Sequence, residues 1–511
     1  MKLNYKRTFL VGFAFLSICA FWQMYDTVIP LILRDTYGMA DGPAGIIMGL
    51  DNAVALFLLP LFGSVSDGNR APKWVWFSLL GVGVVSGLLS YLSGTAAAGA
   101  WLNAAFPSAA LLAGSLEIFE LITEILASIC AAALVVLPLM TFLARKCAKL
   151  GRRIPYILFG TIGAVLSMAV LQYAEHYLGL LFFGAALGIL LIFMGAYRSP
   201  AVALMPDVTP KPLRSKGNAV INLMGAVGGA FSLVAINLLV QENVTGEREY
   251  LYLFLAVGVL MLIAALTVVF TVPEHKFVQE MRDINYGVSQ EEDQSKSIEV
   301  DGKQKLPPAV RRSLILILAT ITLWFFGYNA VTTAFSKFAT KMWASGLEHV
   351  SNCLLVATAA AIISYMPIGF LASRIGRKKT IIIGLIVAAA CFAFGAFYAQ
   401  TFSLALYVMF AAVGFAQAAV TVNTFPMVWE ISRYGNVGKY TGYYYTCSMA
   451  AQIVTPIVSG YLLQYVGYNS LFPYAAFFVA LAIIPVALTK YGDSKPGAPK
   501  DKLEAFEGAD D

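Results

Sequence analysis

The chain runs to 511 residues, 59% of them hydrophobic, with mean hydropathy +0.74; no soluble core hides that much apolar surface, so the bilayer must be its solvent. The net charge of +6 is scattered in short clusters between apolar runs, which excludes a basic face for nucleic acid. Three His and six Cys, the latter mostly inside apolar stretches (Cys19, Cys130, Cys391, Cys447), give neither metal-ligand spacing nor a disulfide framework, and no cofactor, phosphate-loop or nucleophile-elbow motif occurs, so an enzyme is not expected.

A hydrocarbon core about 30 Å thick takes roughly 20 helical residues. Apolar runs of that length recur along the whole chain and predict fourteen spans. The first, 9–33, follows MKLNYKR and imitates a signal peptide, but it continues through Pro30 without a small-residue cleavage site and is expected to be retained. Spans follow at 42–66, 74–94, 118–144, 155–174, 178–205, 217–240 and 250–272, completing a first half, 1–272. Residues 273–312 are polar and charge-rich and read as a solvated linker. The second half, 313–490, holds spans at 313–336, 351–373, 380–398, 402–429, 440–465 and 470–489, and a polar tail occupies 491–511.

Lys and Arg mark the cytoplasmic loops of membrane proteins. With the N-terminus inside, all 35 except Arg34, Arg248, Lys337, Lys341 and the intramembrane Arg198 fall on the cytoplasmic side. Both termini and the linker are therefore expected in the cytoplasm, residues 95–112 outside, and the whole in the plasma (inner) membrane.

The two halves resemble each other, as transporter repeats do. Pro60 is followed by Asp67 and Arg70, and Pro367 by Arg374 and Arg377, at the same two offsets. The first span of each half carries a polar centre, Trp22-Gln23-Met24-Tyr25-Asp26 against Trp324 through Tyr328-Asn329.

Gly63-Ser64-Val65-Ser66-Asp67, with Gly151-Arg152-Arg153 far downstream, resembles the G-x-x-x-D-x-x-G-R-[RK] loop signature of the major facilitator superfamily, split by an insertion. A second copy around Gly376-Arg377-Lys378-Lys379 is intact. More specifically, the run from Arg198-Ser199-Pro200 to Met205-Pro206-Asp207-Val208-Thr209, and Gly438-Lys439-Tyr440-Thr441-Gly442 before Tyr443, are similar to the glycoside-pentoside-hexuronide and sucrose-proton symporter branch. The likeness implies an all-α major facilitator fold: two six-helix halves, here with two additional transmembrane helices inserted between the second and third core helices. It further implies cation-coupled symport of a sugar or glycoside by a chain acting as a monomer. A lipid or drug transporter of the same fold and a non-transporting receptor are the alternatives.

An ionisable group at mid-bilayer costs roughly 2.5–3.5 kcal/mol on insertion scales, so it marks a water-lined site with a partner. Asp26, Asp51 and Arg198 qualify. A permanent Asp–Arg pair would only lock helices together, whereas coupling needs a carboxylate whose protonation changes as its surroundings alternate. The resemblance makes Arg198 the contact for sugar hydroxyls and Asp207 a gate or loop anchor. Nine residues of helix separate these two by about 13.5 Å and half a turn, so Arg198 needs its partner on another helix. Trp22 and Tyr328, beside Gln23 and Asn329, are the aromatic candidates for stacking on a sugar. Asp67, Arg152, Arg153, Arg374, Arg377 and Glu430 are expected to gate the cytoplasmic mouth, Asp67 pairing with Arg152 or Arg153. The melibiose-type branch holds sodium with two Asp one turn apart on span two, and Asp51 stands alone before Pro60, so protons are expected over sodium. Glu117, Glu120 and Glu124 share one face at the outer start of the fourth run, where acids suit the helix dipole.

Overall fold

The computed structural model describes residues 4–66, 73–93, 116–209, 214–242, 248–281, 308–343, 347–431 and 437–492. Its long elements are all helical: α1 (Tyr5–Asp35), α2 (Asp41–Ser66), α3 (Lys73–Ser93), α4 (Leu116–Lys146), α5 (Ile154–Tyr177), α6 (Leu180–Asp207), α7 (Arg214–Leu239), α8 (Leu251–Thr271), α9 (Pro308–Met342), α10 (Leu347–Ile375), α11 (Arg377–Tyr398), α12 (Ala405–Ile431), α13 (Val437–Tyr465) and α14 (Leu471–Leu488). Among the described residues, thirteen are long and apolar enough to cross a membrane, and α3 holds the shorter apolar stretch Val75–Tyr91. Each overlaps one of the fourteen expected spans, with ends set by local chemistry. Asn4, for instance, caps α1 by accepting the Arg7 N–H at 3.1 Å. The antiparallel strands Gln241–Glu242 and Arg248–Glu249 join α7 to α8.

Helices α1, α5, α6, α7 and α8 pack into one cluster of buried apolar side chains, and α9 with α11, α12, α13 and α14 into a second. The two groups meet along three seams: α2 on α13, α7 on α10, and α1 on α9. In hydrocarbon such contacts gain little from the hydrophobic effect and depend on close backbone approach. At the α2–α13 seam a Cβ on Gly45 would run into the Pro456 carbonyl.

The inserted helices α3 and α4 form an antiparallel hairpin against the flank of the first group. It docks through α4 onto α6, where Gly184 leaves room for Ile125 and Gly188 for Ile129 and Ser128. The outer face of α3 is bare of protein: Phe77 and Tyr91 are each 73% exposed, as a lipid-facing side chain should be. Within the hairpin Ser90 donates to Glu124 at 3.1 Å, while the Glu117 side chain lies outside the described residues.

Candidate functional site

Three helices of the first group bring the intramembrane charges together. Asp26 on α1, Asp51 on α2 and Arg198 on α6 lie within electrostatic reach of one another. Yet no ion pair within 4.0 Å joins Arg198 to either carboxylate among the described residues. The permanent lock that sequence leaves open is thus absent, and so is the direct partner expected for Arg198. Its guanidinium instead sits 5.6 Å from the ring centroid of Trp22, a cation–π distance. Asp51 is buried and its Oδ1 accepts from the Asn52 backbone N–H at 2.5 Å and the Asn52 side-chain amide at 2.8 Å, which leaves its other oxygen available.

The surroundings supply further donors. The indole N–H groups of Trp22 and Trp324 and the hydroxyl of Tyr25 are buried and have no hydrogen-bond partner. Gln23 reaches Thr27 Oγ1 at 3.4 Å. Tyr328 is stacked on Trp324, centroids 5.1 Å apart and planes 14° apart, so one of its ring faces is already covered and Trp324 joins it in the wall. Asn329 is half-buried beside it. Two further residues approach Arg198: Cys19 on α1 and Tyr445 on α13. Tyr445 comes from the opposite half, so both halves border the charged centre.

The loop charges of the first half form a compact network at the end of the bundle that carries the N-terminus, here the terminal side. Arg153 is buried; its Nε donates to Asp207 at 2.5 Å and its Nη1 to Ser66 Oγ at 3.2 Å, and Arg152 reaches Asp207 at 3.4 Å. Glu274, just after α8, accepts the backbone N–H groups of Arg153 and Ile154 at 2.9–3.1 Å and so caps α5. Asp207 thus pairs within its own half. The expected partner Asp67 lies outside the described residues, as does the side chain of Glu430. Arg374 is exposed and Arg377 opens α11.

Sequence reading places Arg34 and Lys337 outside and gives them no role, and it passes over Asp41. The structure joins them at the far side, opposite the termini. Lys337 Nζ on α9 lies 2.9 Å from Asp41 Oδ1 on α2, with side chains only 5% and 9% exposed. Arg34 Nη1 donates to the Lys337 carbonyl at 2.8 Å and Nη2 to Thr340 at 2.9 Å, and the Tyr468 hydroxyl lies near both Asp41 and Arg34. Gln464 accepts the Gly42 N–H at 3.0 Å, and Asn237 donates to Asn352 at 2.6 Å across the α7–α10 seam. Asp35 holds Arg34 at 2.6 Å and Arg248 of the strand pair at 2.8 Å. Outside the spans, burial pushes the phenols of Tyr37 and Tyr250 above the ordinary tyrosine range, so both stay neutral in this closed layer.

Two groups of helices around charged residues, closed on one side by cross-half contacts, have the architecture of a membrane transporter. Residues 102–348 and 343–508 match the Major Facilitator Superfamily, and the chain belongs to it. It is a multi-pass membrane transporter and not an enzyme. Among solved structures, the chain is similar to a bacterial homologue of the human lysosomal transporter Spinster in an inward-facing and occupied conformation (12% identity, TM-score 0.57, 96% of this chain and 97% of that one). It is also similar to the nucleoside transporter NupG (13%, TM-score 0.55, 95% and 100%) and to a proton-dependent oligopeptide transporter (13%, TM-score 0.54, 95% and 98%). At such identities the likeness is one of fold. No curated protein matches the sequence.

Proposed function

We propose that this transporter carries a sugar or glycoside together with a proton, by alternating access, with both termini in the cytoplasm. The observation behind this reading is the charged centre: two carboxylates and one guanidinium share a site without any fixed ion pair. One proton added to that set leaves it neutral, so a single cation per cycle balances the charge. Unpaired donors at Trp22, Tyr25 and Trp324, beside the Arg198 guanidinium, suit a ligand rich in oxygen acceptors, and the half-buried Trp22 and Tyr328 rings suit its apolar faces. Binding then favours the state in which the two halves close around the cargo, and transport follows from the shift in population.

The experiment is counterflow in proteoliposomes with a panel of mono- and disaccharides, nucleosides and dipeptides, followed by pH-gradient-driven uptake of whichever exchanges. A sugar is expected to exchange. Asp26→Asn or Asp51→Asn is expected to abolish uphill accumulation while leaving exchange measurable. If both variants accumulate at the wild-type level, proton coupling through these carboxylates is wrong; if only a nucleoside or dipeptide exchanges, the cargo is wrong.

A further inference from the structure

The basic run at the foot of the inserted hairpin divides by direction. Of its five cations, Arg152 and Arg153 turn inward to Asp207. Arg145, Lys146 and Lys149 are exposed and have no ion pair among the described residues. Arg145 lies near the phenol of Tyr156, which carries no charge, and Lys146 Nζ is 4.6 Å from the Phe142 ring centroid. Lys73, which opens the antiparallel neighbour α3, is exposed at the same end. No Asp or Glu occurs in 73–93 or 125–153, so neither helix supplies a counter-charge here.

Immediately above these cations α4 presents an apolar stripe to the outside: Val135 (65% exposed), Leu139 (44%) and Phe142 (53%), spaced so that Lys146 continues the same face. Lys149 follows in the 3-10 turn Ala148–Leu150. In a membrane the stripe lies at acyl-chain depth and the ammonium and guanidinium groups at headgroup depth. We infer that the foot of the inserted hairpin binds an anionic phospholipid, its phosphate among Arg145, Lys146 and Lys149 and one chain along Val135, Leu139 and Phe142. The bound lipid steadies the loop that runs from Lys149 to Arg153, and with it the Arg153–Asp207–Ser66 network on the terminal side. The inserted hairpin thereby makes the first half responsive to the charge of its leaflet.

The test uses the purified full chain in nanodiscs of phosphatidylcholine containing a minor fraction of phosphatidylglycerol, with retained lipid read by native mass spectrometry. Wild type is expected to retain phosphatidylglycerol preferentially, and less so at high salt. The triple variant Arg145→Gln, Lys146→Gln, Lys149→Gln is expected to lose about 100-fold of that preference, a factor of roughly five for each charge near the surface. The exposed pair Arg311→Gln, Arg312→Gln at the start of α9 is expected to keep it. If the triple variant does not fold, Lys149→Gln alone is expected to lose about fivefold. An unchanged preference in these variants, or an equal loss in the α9 control, overturns the proposal. So does displacement of phosphatidylglycerol by inorganic phosphate at similar concentration, which would make the site a phosphate site without lipid selectivity.

Discussion

Replacing Lys337 by Met tests whether the far-side contacts are a gate. In the closed state the substitution removes the ammonium 2.9 Å from Asp41 and leaves that carboxylate in a layer where it is 9% exposed. Removing one partner of a buried pair costs about 3–5 kcal/mol, chiefly because the other charge is left without compensation. Screening by water discounts little at such burial, but the Tyr468 hydroxyl remains near Asp41, so the lower figure, about 3 kcal/mol, applies. When the far side opens, water reaches Asp41 and the cost disappears. The equilibrium should therefore move towards the far-open state by about 100-fold, since about 1.4 kcal/mol corresponds to tenfold. A state populated at about 1% would approach parity. Ile457→Cys reports the change, because this side chain lies across the α2–α13 seam facing Gly49. Its labelling by an impermeant maleimide, corrected for the chain without the reporter, is expected to rise about 100-fold in Lys337→Met. It should fall most of the way back in the double variant with Asp41→Asn, which removes the stranded charge. A wild-type labelling rate in Lys337→Met, or a double variant as open as the single, would refute the reasoning.

Gly45→Ala should favour the far-open state by sterics alone, because its methyl group meets the Pro456 carbonyl only when the seam is closed; unchanged Ile457→Cys labelling would show that this seam does not part. Arg198→Lys keeps the charge but loses the planar fork, and affinity for the exchanged cargo, measured by counterflow, is expected to fall about 10- to 100-fold, the worth of one or two charge-assisted hydrogen bonds. Cysteine placed at position 103 should label from outside and cysteine at position 290 should not. The reverse pattern would invert the topology inferred from the Lys and Arg distribution.

Hydropathy made the helices legible because a bilayer imposes one length and one polarity on every span; even the inserted pair stands out, since α3 and α4 must meet the same requirement as the core. Asp26, Asp51 and Arg198 were legible for the same reason: a charge in an apolar run carries its own cost. The far-side contacts were not legible. Asp41, Lys337 and Arg34 sit at helix ends, where charge is cheap and unremarkable in sequence, and only folding brings α2 to α9 across some 300 residues. The Tyr328–Trp324 stack was available from spacing, because residues four apart share a helix face. Asp207 was expected to be an anchor or gate, and the split loop motif directed Arg152 and Arg153 towards Asp67, which lies outside the described residues. The starts of α5 and the ends of α2 and α6 share a side by parity, which would have pointed to Asp207 as well.

The order of synthesis gives the inserted hairpin a separate significance. The face of α4 that ends up buried, including Leu121, Ile125, Ile129, Ala133 and Leu137, docks on α6, which is encoded later. At about 5–20 residues per second, the roughly 60 residues between the end of α4 and the end of α6 take about 3–12 s to emerge. For that interval the hairpin must stand in lipid on its own, held by α3 against α4. A nascent chain stalled before Leu180 should therefore carry an inserted but undocked hairpin, and the Gly184 and Gly188 notches decide when it ceases to be an independent unit.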